Sequence, residues 1–119
     1  MRYIDAFVLP VPKKNMKDYV SMSRKAGKVW KEHGALEYRE CAGEDLDMKY
    51  GTTFPRQLKL KPGETPVFSW IVYRSRAHRD AVNAKVMKDP RIGKMMGTKK
   101  MPFDVKRMVS GGFEVLVDM

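Results

Sequence analysis

The chain has 119 residues, 43% hydrophobic and 32% charged, a balance that fits one globular domain over residues 1–119 with a single core. Its 24 Lys and Arg against 14 Asp and Glu leave a net charge of +10, spread over predicted helices and loops without a dense basic block. No apolar run approaches the roughly 20 residues of a membrane span, and no cleavage pattern follows the N-terminal stretch. The one cysteine, Cys41, excludes an intramolecular disulfide, so the expected setting is cytoplasmic, with no membrane partner.

Residues 3–11 read as a first strand, in which Tyr3, Asp5, Phe7 and Leu9 alternate with Ile4, Ala6 and Val8. Pro10 and Pro12 remove two ladder donors, which predicts that the strand ends there. Asn15, with Asp18 three residues on, has the form of a capping box. The helix that follows, to about His33, carries Met16, Tyr19, Met22, Ala26, Val29, Trp30 and His33 as one apolar stripe. Gly27 weakens its middle, and Gly34 stands where a left-handed cap is wanted. Residues 35–42 form a second strand, more polar and therefore expected at an edge. Residues 43–66 are irregular, with an extra strand expected over 56–60 before the Pro62-Gly63 turn.

The third strand, Val67-Phe-Ser-Trp-Ile-Val-Tyr73, contains no Gly or Pro, as a central strand requires. Both of its faces are largely apolar, whereas a strand with one wet face alternates. A second cover is needed, and another subunit is the expected one. Ser75 caps a second helix with apolar positions Ala77, Ala81, Val82, Ala84, Val86 and Met87. Asp89-Pro90 starts a short helix through Met96, since Asp caps well and Pro is favoured at the first helical position. Gly97 ends it, and residues 97–103 form a basic loop. Residues 104–117 are the predicted last strand, with Gly111-Gly112 marking a bulge or a close backbone approach.

This order is α+β: a ferredoxin-like βαββαβ unit, an antiparallel sheet with helices on one face. The helix-free face must then be wet, bound, or buried on a copy of itself, and its aromatic residues argue for the copy. The expected assembly is a homodimer pairing sheet to sheet.

Several blocks of residues resemble a known family. They are Phe7-Val-Leu-Pro-Val-Pro12, His33-Gly-Ala-Leu-Glu-Tyr38, Phe68-Ser-Trp-Ile71, Ser75-Arg-Ala-His-Arg-Asp80, Val82-Asn-Ala-Lys-Val-Met87, Met101-Pro-Phe103 and Gly111-Gly-Phe-Glu-Val115. Together they cover nearly the whole chain, and they resemble the YbaA-like bacterial family of unknown function. The resemblance implies a dimeric α+β barrel, and it implies no activity. The wider superfamily includes cofactor-independent monooxygenases, muconolactone-isomerase-like proteins and haem proteins of the chlorite-dismutase type, an analogy at the level of fold alone.

Asp5, Arg74 and Arg107 are charged residues within predicted apolar strands, where charges seldom stand alone. One reading is structural ion pairing. The other is a polar catalytic floor, with the arginines holding an anionic or enolic oxygen and Asp5 taking a proton. In that case Tyr3, Phe7 and Trp70 would wall an aromatic, cationic substrate site, with His78 just past the third strand as a further candidate. The same aromatics equally serve core and dimer packing. His33 and His78, the only histidines, share no ligand spacing with each other or with Cys41, so no metal site is expected. No phosphate loop or dinucleotide fingerprint is present, and no cofactor is expected. The ten methionines suit gap-filling cores, and Met95, Met96, Met101 and Met108 suit a greasy pocket.

The leading expectation is therefore a homodimer that binds or transforms a small anionic or aromatic molecule. Two alternatives are an RNA-binding protein and a purely structural or regulatory dimer. RNA-recognition domains share the element order, and +10 suits phosphate contacts. Residues 67–73 lack the Gly-aromatic sheet motif of those domains, which argues against nucleic acid as the specific partner.

Overall fold

The strand Glu64–Tyr73 (β3) is hydrogen-bonded on both sides, and the rest of the molecule is arranged about it. The computed structural model describes residues 1–97 and 100–119. Its sheet has the order β2-β3-β1-β4, built from Tyr3–Pro12 (β1), Glu37–Ala42 (β2), β3 and Val109–Glu114 (β4). All three pairings are antiparallel. Two long helices, Met16–Glu32 (α1) and Arg76–Lys88 (α3), belong to the helical layer with the short helix Pro90–Met96 (α4) beside them, while the one-turn helix Phe54–Gln57 (α2), between β2 and β3, puts Phe54 against Phe68. This is the α+β, ferredoxin-like arrangement expected from the sequence, with β2 at an edge. The described residues extend 39 × 38 × 19 Å. The short dimension matches one helix layer, about 10–12 Å, on one sheet.

The register sorts the sheet's side chains. Asp5, Phe7 and Leu9 of β1 pair with Ile71, Ser69 and Val67 of β3, so these share the helix-covered face. Tyr38 and Glu40 of β2 and Ser110 and Gly112 of β4 fall on that same face. The core lies there: Val67, Ile71 and Tyr73 pack with Leu9, Val29, Val82, Val86 and Ile92, all buried. The other face carries Ile4, Ala6, Val8, Phe68, Trp70, Val72, Val109 and Phe113, and among the described residues no helical layer covers it. Phe68, Val109 and Phe113 are exposed on it.

The structure corrects several expectations. β1 does not end at its prolines but pairs with β3 as far as Pro12. β4 leaves β1 after Val8, so Pro10 and Pro12 lie where β1 is already an edge, and their missing donors cost no ladder bond on that side. Asn15 is the N-cap residue of α1, but its side chain makes no capping bond. It donates instead to the Pro102 carbonyl at 3.1 Å, tying the C-terminal loop to the helix start. Residues 56–60 are no strand. Thr53 caps the turn of α2 by accepting from the Arg56 N–H, and Pro55 presets the helical φ. On α3, Ala77, Ala81, Ala84 and Met87 are exposed, and only Val82 and Val86 are buried.

The last strand begins only at Val109. Asp104 accepts from the Lys106 N–H and holds residues 105–107 in a 3-10 turn, so Arg107 is not a strand residue. Gly111-Gly112 is a close approach and no bulge: the β1–β4 register runs unbroken, and a side chain on Gly112 would collide with the Tyr3 hydroxyl. Gly34 adopts φ +113° directly after the last turn of α1, the left-handed conformation anticipated for it. The caps expected of Ser75 and Asp89 are both formed, onto the His78 and Arg91 N–H groups. Of the predicted basic loop, Thr98 and Lys99 lie outside the described residues.

Candidate functional site

A cavity of about 490 Å³ lies between the sheet's covered face and the helices. It exists because the layer above the sheet is thin at that point. Ala26 and Ser23 of α1 are small, and Ser69, Ser110 and Gly112 leave space on the strands below. Six methionines fill its walls (Met22, Met87, Met95, Met96, Met101 and Met108), with Phe7, Leu9, Trp30, Ile71, Ile92 and Phe103. Thioether side chains on rotatable stems make such a wall adaptable in shape. Met87 and Met96 are exposed and stand at its rim.

Asp5 forms the floor, 7% exposed. Its Oδ1 accepts from Arg79 Nη1 at 2.7 Å and its Oδ2 from Asn83 Nδ2 at 3.4 Å. Arg79 also donates from Nε to Asp80 at 2.8 Å, and its guanidinium lies 4.9 Å from the centre of the Tyr3 ring. Asn83 Oδ1 accepts from both the Trp30 indole and the Tyr73 hydroxyl at 3.1 Å. Burial, and then the nearby Asp5 charge, push the Tyr73 phenol upward, so it stays a donor. Burial disfavours the charged Arg79 guanidinium, but the hydrogen bond to Asp80 and then the Asp5 charge outweigh it and hold the group above its usual range.

A second polar group enters from β2. Glu40 Oε1 accepts from the Tyr19 hydroxyl at 2.7 Å and Oε2 from the Tyr38 hydroxyl at 3.0 Å. Burial first, then the Glu40 charge, raise both phenols, which therefore remain protonated donors. Tyr38 packs on Trp30 at 6.2 Å between centroids, and Tyr19 meets Phe103 edge-on at 5.6 Å.

The residues singled out in the sequence are only partly brought together. Asp5 and Phe7 line the cavity, and Tyr3 sits behind Arg79. Arg74 is exposed beyond the end of β3, where its backbone N–H donates to His78 Nδ1 at 3.0 Å. His78 is thereby part of the turn that Ser75 caps, with its ring edge-on to Tyr73. Arg107 bonds Glu64 through both terminal nitrogens and reaches the Leu58 and Lys59 carbonyls, so it fastens the insert to the start of β3. Trp70 borders the cavity from β3, yet by alternation its side chain is on the helix-free face, 5.7 Å from Phe68. The three charged candidates thus do not form one floor.

Arg79, Asn83, Glu40, Tyr19 and Tyr38 escaped the sequence reading. Arg79 and Asn83 are four residues apart beside Val82 and Val86, so polar positions next to the buried valines of α3 were the available signal. Among the described residues no group of three or more His, Cys, Asp and Glu is placed to hold a metal ion. No helix among them is long and apolar enough to cross a membrane.

Comparison with known proteins agrees with this architecture. Residues 2–105 match the family described as "Protein of unknown function (DUF1428)". The chain is 45% identical over 118 residues to the uncharacterized protein YbaA of Escherichia coli K12, covering 99% of both chains. Among solved structures it is similar to a dimeric ferredoxin-like protein from an uncultured marine organism, with a TM-score of 0.58, 14% identity and full coverage of both chains (100%). It is also similar to a dimeric ferredoxin-like protein of unknown function from Jannaschia sp. CCS1, with a TM-score of 0.60 and 14% identity over 95% of this chain and 99% of that one.

Proposed function

We propose that this chain, which belongs to the DUF1428 family of proteins of unknown function, is a homodimeric small-molecule-binding protein that holds a largely apolar ligand between its sheet and its helices. The observation that carries the reading is the cavity itself: about 490 Å³ of space, walled by six methionines and several aromatic rings, over a floor of hydrogen-bonded polar groups. Ligand sites characteristically combine an apolar wall of this size with a few placed polar atoms. A packed core offers no such space. The floor gives a bound molecule an orientation, and the exposed methionines at the rim give it a way in.

The pairing of two copies is supported by the uncovered sheet face. Phe68, Trp70, Val109 and Phe113 there are apolar, and Phe54 of α2 packs edge-on to Phe68 at 6.5 Å. A continuous apolar surface of this kind calls for a partner. The similar ferredoxin-like proteins from the marine organism and from Jannaschia are described as dimeric.

Trp30 reports on the cavity, because its ring is in the wall and its indole N–H is on Asn83. Replacing Trp70 by Phe leaves Trp30 as the sole tryptophan. Titration of that variant with a panel of neutral and charged one- and two-ring aromatic compounds should give a saturable change in emission and a rise in melting temperature. If no compound does either at millimolar concentration, the binding function is wrong.

A further inference from the structure

We infer that the ligand of this cavity is a cation, an apolar or aromatic amine whose ammonium group rests on Glu40. The inference depends on the cavity being a binding site and names the class of molecule it takes.

The charges on the cavity decide it. Among the described residues, three charged side chains reach its interior from the covered face and the helices: Asp5, Glu40 and Arg79. Arg39 also borders it, but by alternation its side chain belongs to the other face, and it is exposed. Arg79 is already engaged by Asp5 and Asp80. A ligand carboxylate would meet a guanidinium whose charge is already offset by Asp5, 10% exposed, and by Asp80, and any pull of it away from Asp5 would strand a buried carboxylate, a costly arrangement. The cavity is therefore poor for anions, although the charge of the whole chain is +10.

Glu40 is the opposite case. Both of its oxygens are held by neutral phenols, and among the described residues it forms no ion pair. The two hydroxyls fix the carboxylate in place without cancelling its charge. The two phenols that hold it pack in turn on Phe103 and Trp30, and these four rings line the same cavity, where aromatic faces attract a cation. On the outer side, Arg24, Lys28 and Lys31 share with Glu40 a groove of about 470 Å³, but these side chains are exposed to water, which screens them. Only the inner side couples a fixed carboxylate to an aromatic surround and an apolar wall. An ammonium group on a greasy body satisfies all three.

The test uses three probes of nearly one shape: 2-phenylethylamine, 3-phenylpropionate and neutral ethylbenzene, titrated into the Trp70→Phe protein and followed by Trp30 emission and calorimetry. The amine should bind at least tenfold more tightly than the carboxylate. In Glu40→Gln, which keeps the shape and one of the two acceptors, amine binding should fall at least tenfold more than ethylbenzene binding does. Equal or tighter binding of the carboxylate, or an amine affinity indifferent to Glu40→Gln, overturns the inference while ethylbenzene binding leaves the cavity reading standing. Failure of all three probes removes both.

Discussion

Gly27 of α1 and Tyr38 of β2 are packed so closely that a Cβ on the glycine would stand 2.6 Å from Cδ1 of the ring. The ring cannot simply swing aside, because its hydroxyl is bonded to Glu40 and its face to Trp30. Gly27 therefore sets how near the helix comes to the edge strand. Gly27→Ala gains about 0.5–1 kcal/mol of helix propensity but overpacks the site by about 1–3 kcal/mol. The expected net result is destabilisation, measured as a lower urea midpoint with unchanged slope. A more stable variant would mean that the ring is not held there.

Asp5 and Arg79 should behave as a coupled pair. Removing Arg79 leaves Asp5 buried without its cation, at a cost of about 3–5 kcal/mol, whereas removing Asp5 leaves Arg79 with Asp80. Arg79→Ala should be strongly destabilising and Asp5→Ala less so, and the double variant should lose much less than their sum. A thermodynamic cycle by urea denaturation measures that difference. Additive losses would show that the two side chains are stabilised independently.

Acid should weaken the fold through two identifiable carboxylates. Hydrogen bonds from Arg107 hold Glu64 below its ordinary value, and hydrogen bonds first from Arg91 and then from His33 hold Asp89 below its own. For an acid whose folded pKa is depressed, the stabilisation is present above the unfolded pKa, about 4. It is lost as pH falls from there through the folded pKa. Glu64→Gln and Asp89→Asn should each be less stable than the parent at pH 7 and closer to it at pH 3. Denaturation midpoints over that range check it, and parallel curves for parent and variants would refute it.

The sheet face supplies the last prediction. Phe68→Asp or Phe113→Asp, on the uncovered face, should convert a dimer into a monomer that keeps its circular dichroism spectrum. Ile71→Asp should instead unfold the chain, because Ile71 is 4% exposed beneath the helices. Sedimentation distinguishes the outcomes. A parent chain that sediments as a soluble monomer at micromolar concentration would end the dimer reading.

The fold was legible because its signals are local. The strand over residues 67–73 announces a central position by being apolar on both faces. The stripe from Met16 to Trp30 makes a helix, and Asp89-Pro90 starts another, each set by residues within a few positions of one another. Local preference failed where a distant group competed for the same atoms. Asn15 reads as a cap, but its amide goes to the carbonyl of Pro102, 87 residues away.

The site was legible only in part. Asp5 was conspicuous as a charge in an apolar strand, and the sequence correctly implied that it needs a partner. Which cation answers it depends on packing. Arg74 is one residue past β3 and faces water, Arg107 is drawn to Glu64, and Arg79 reaches Asp5 from 74 positions away because α3 lies across β1. The cavity was beyond the sequence for a further reason. An unfilled volume depends on where four strands and three helices fail to meet, and no residue type signals a gap by itself.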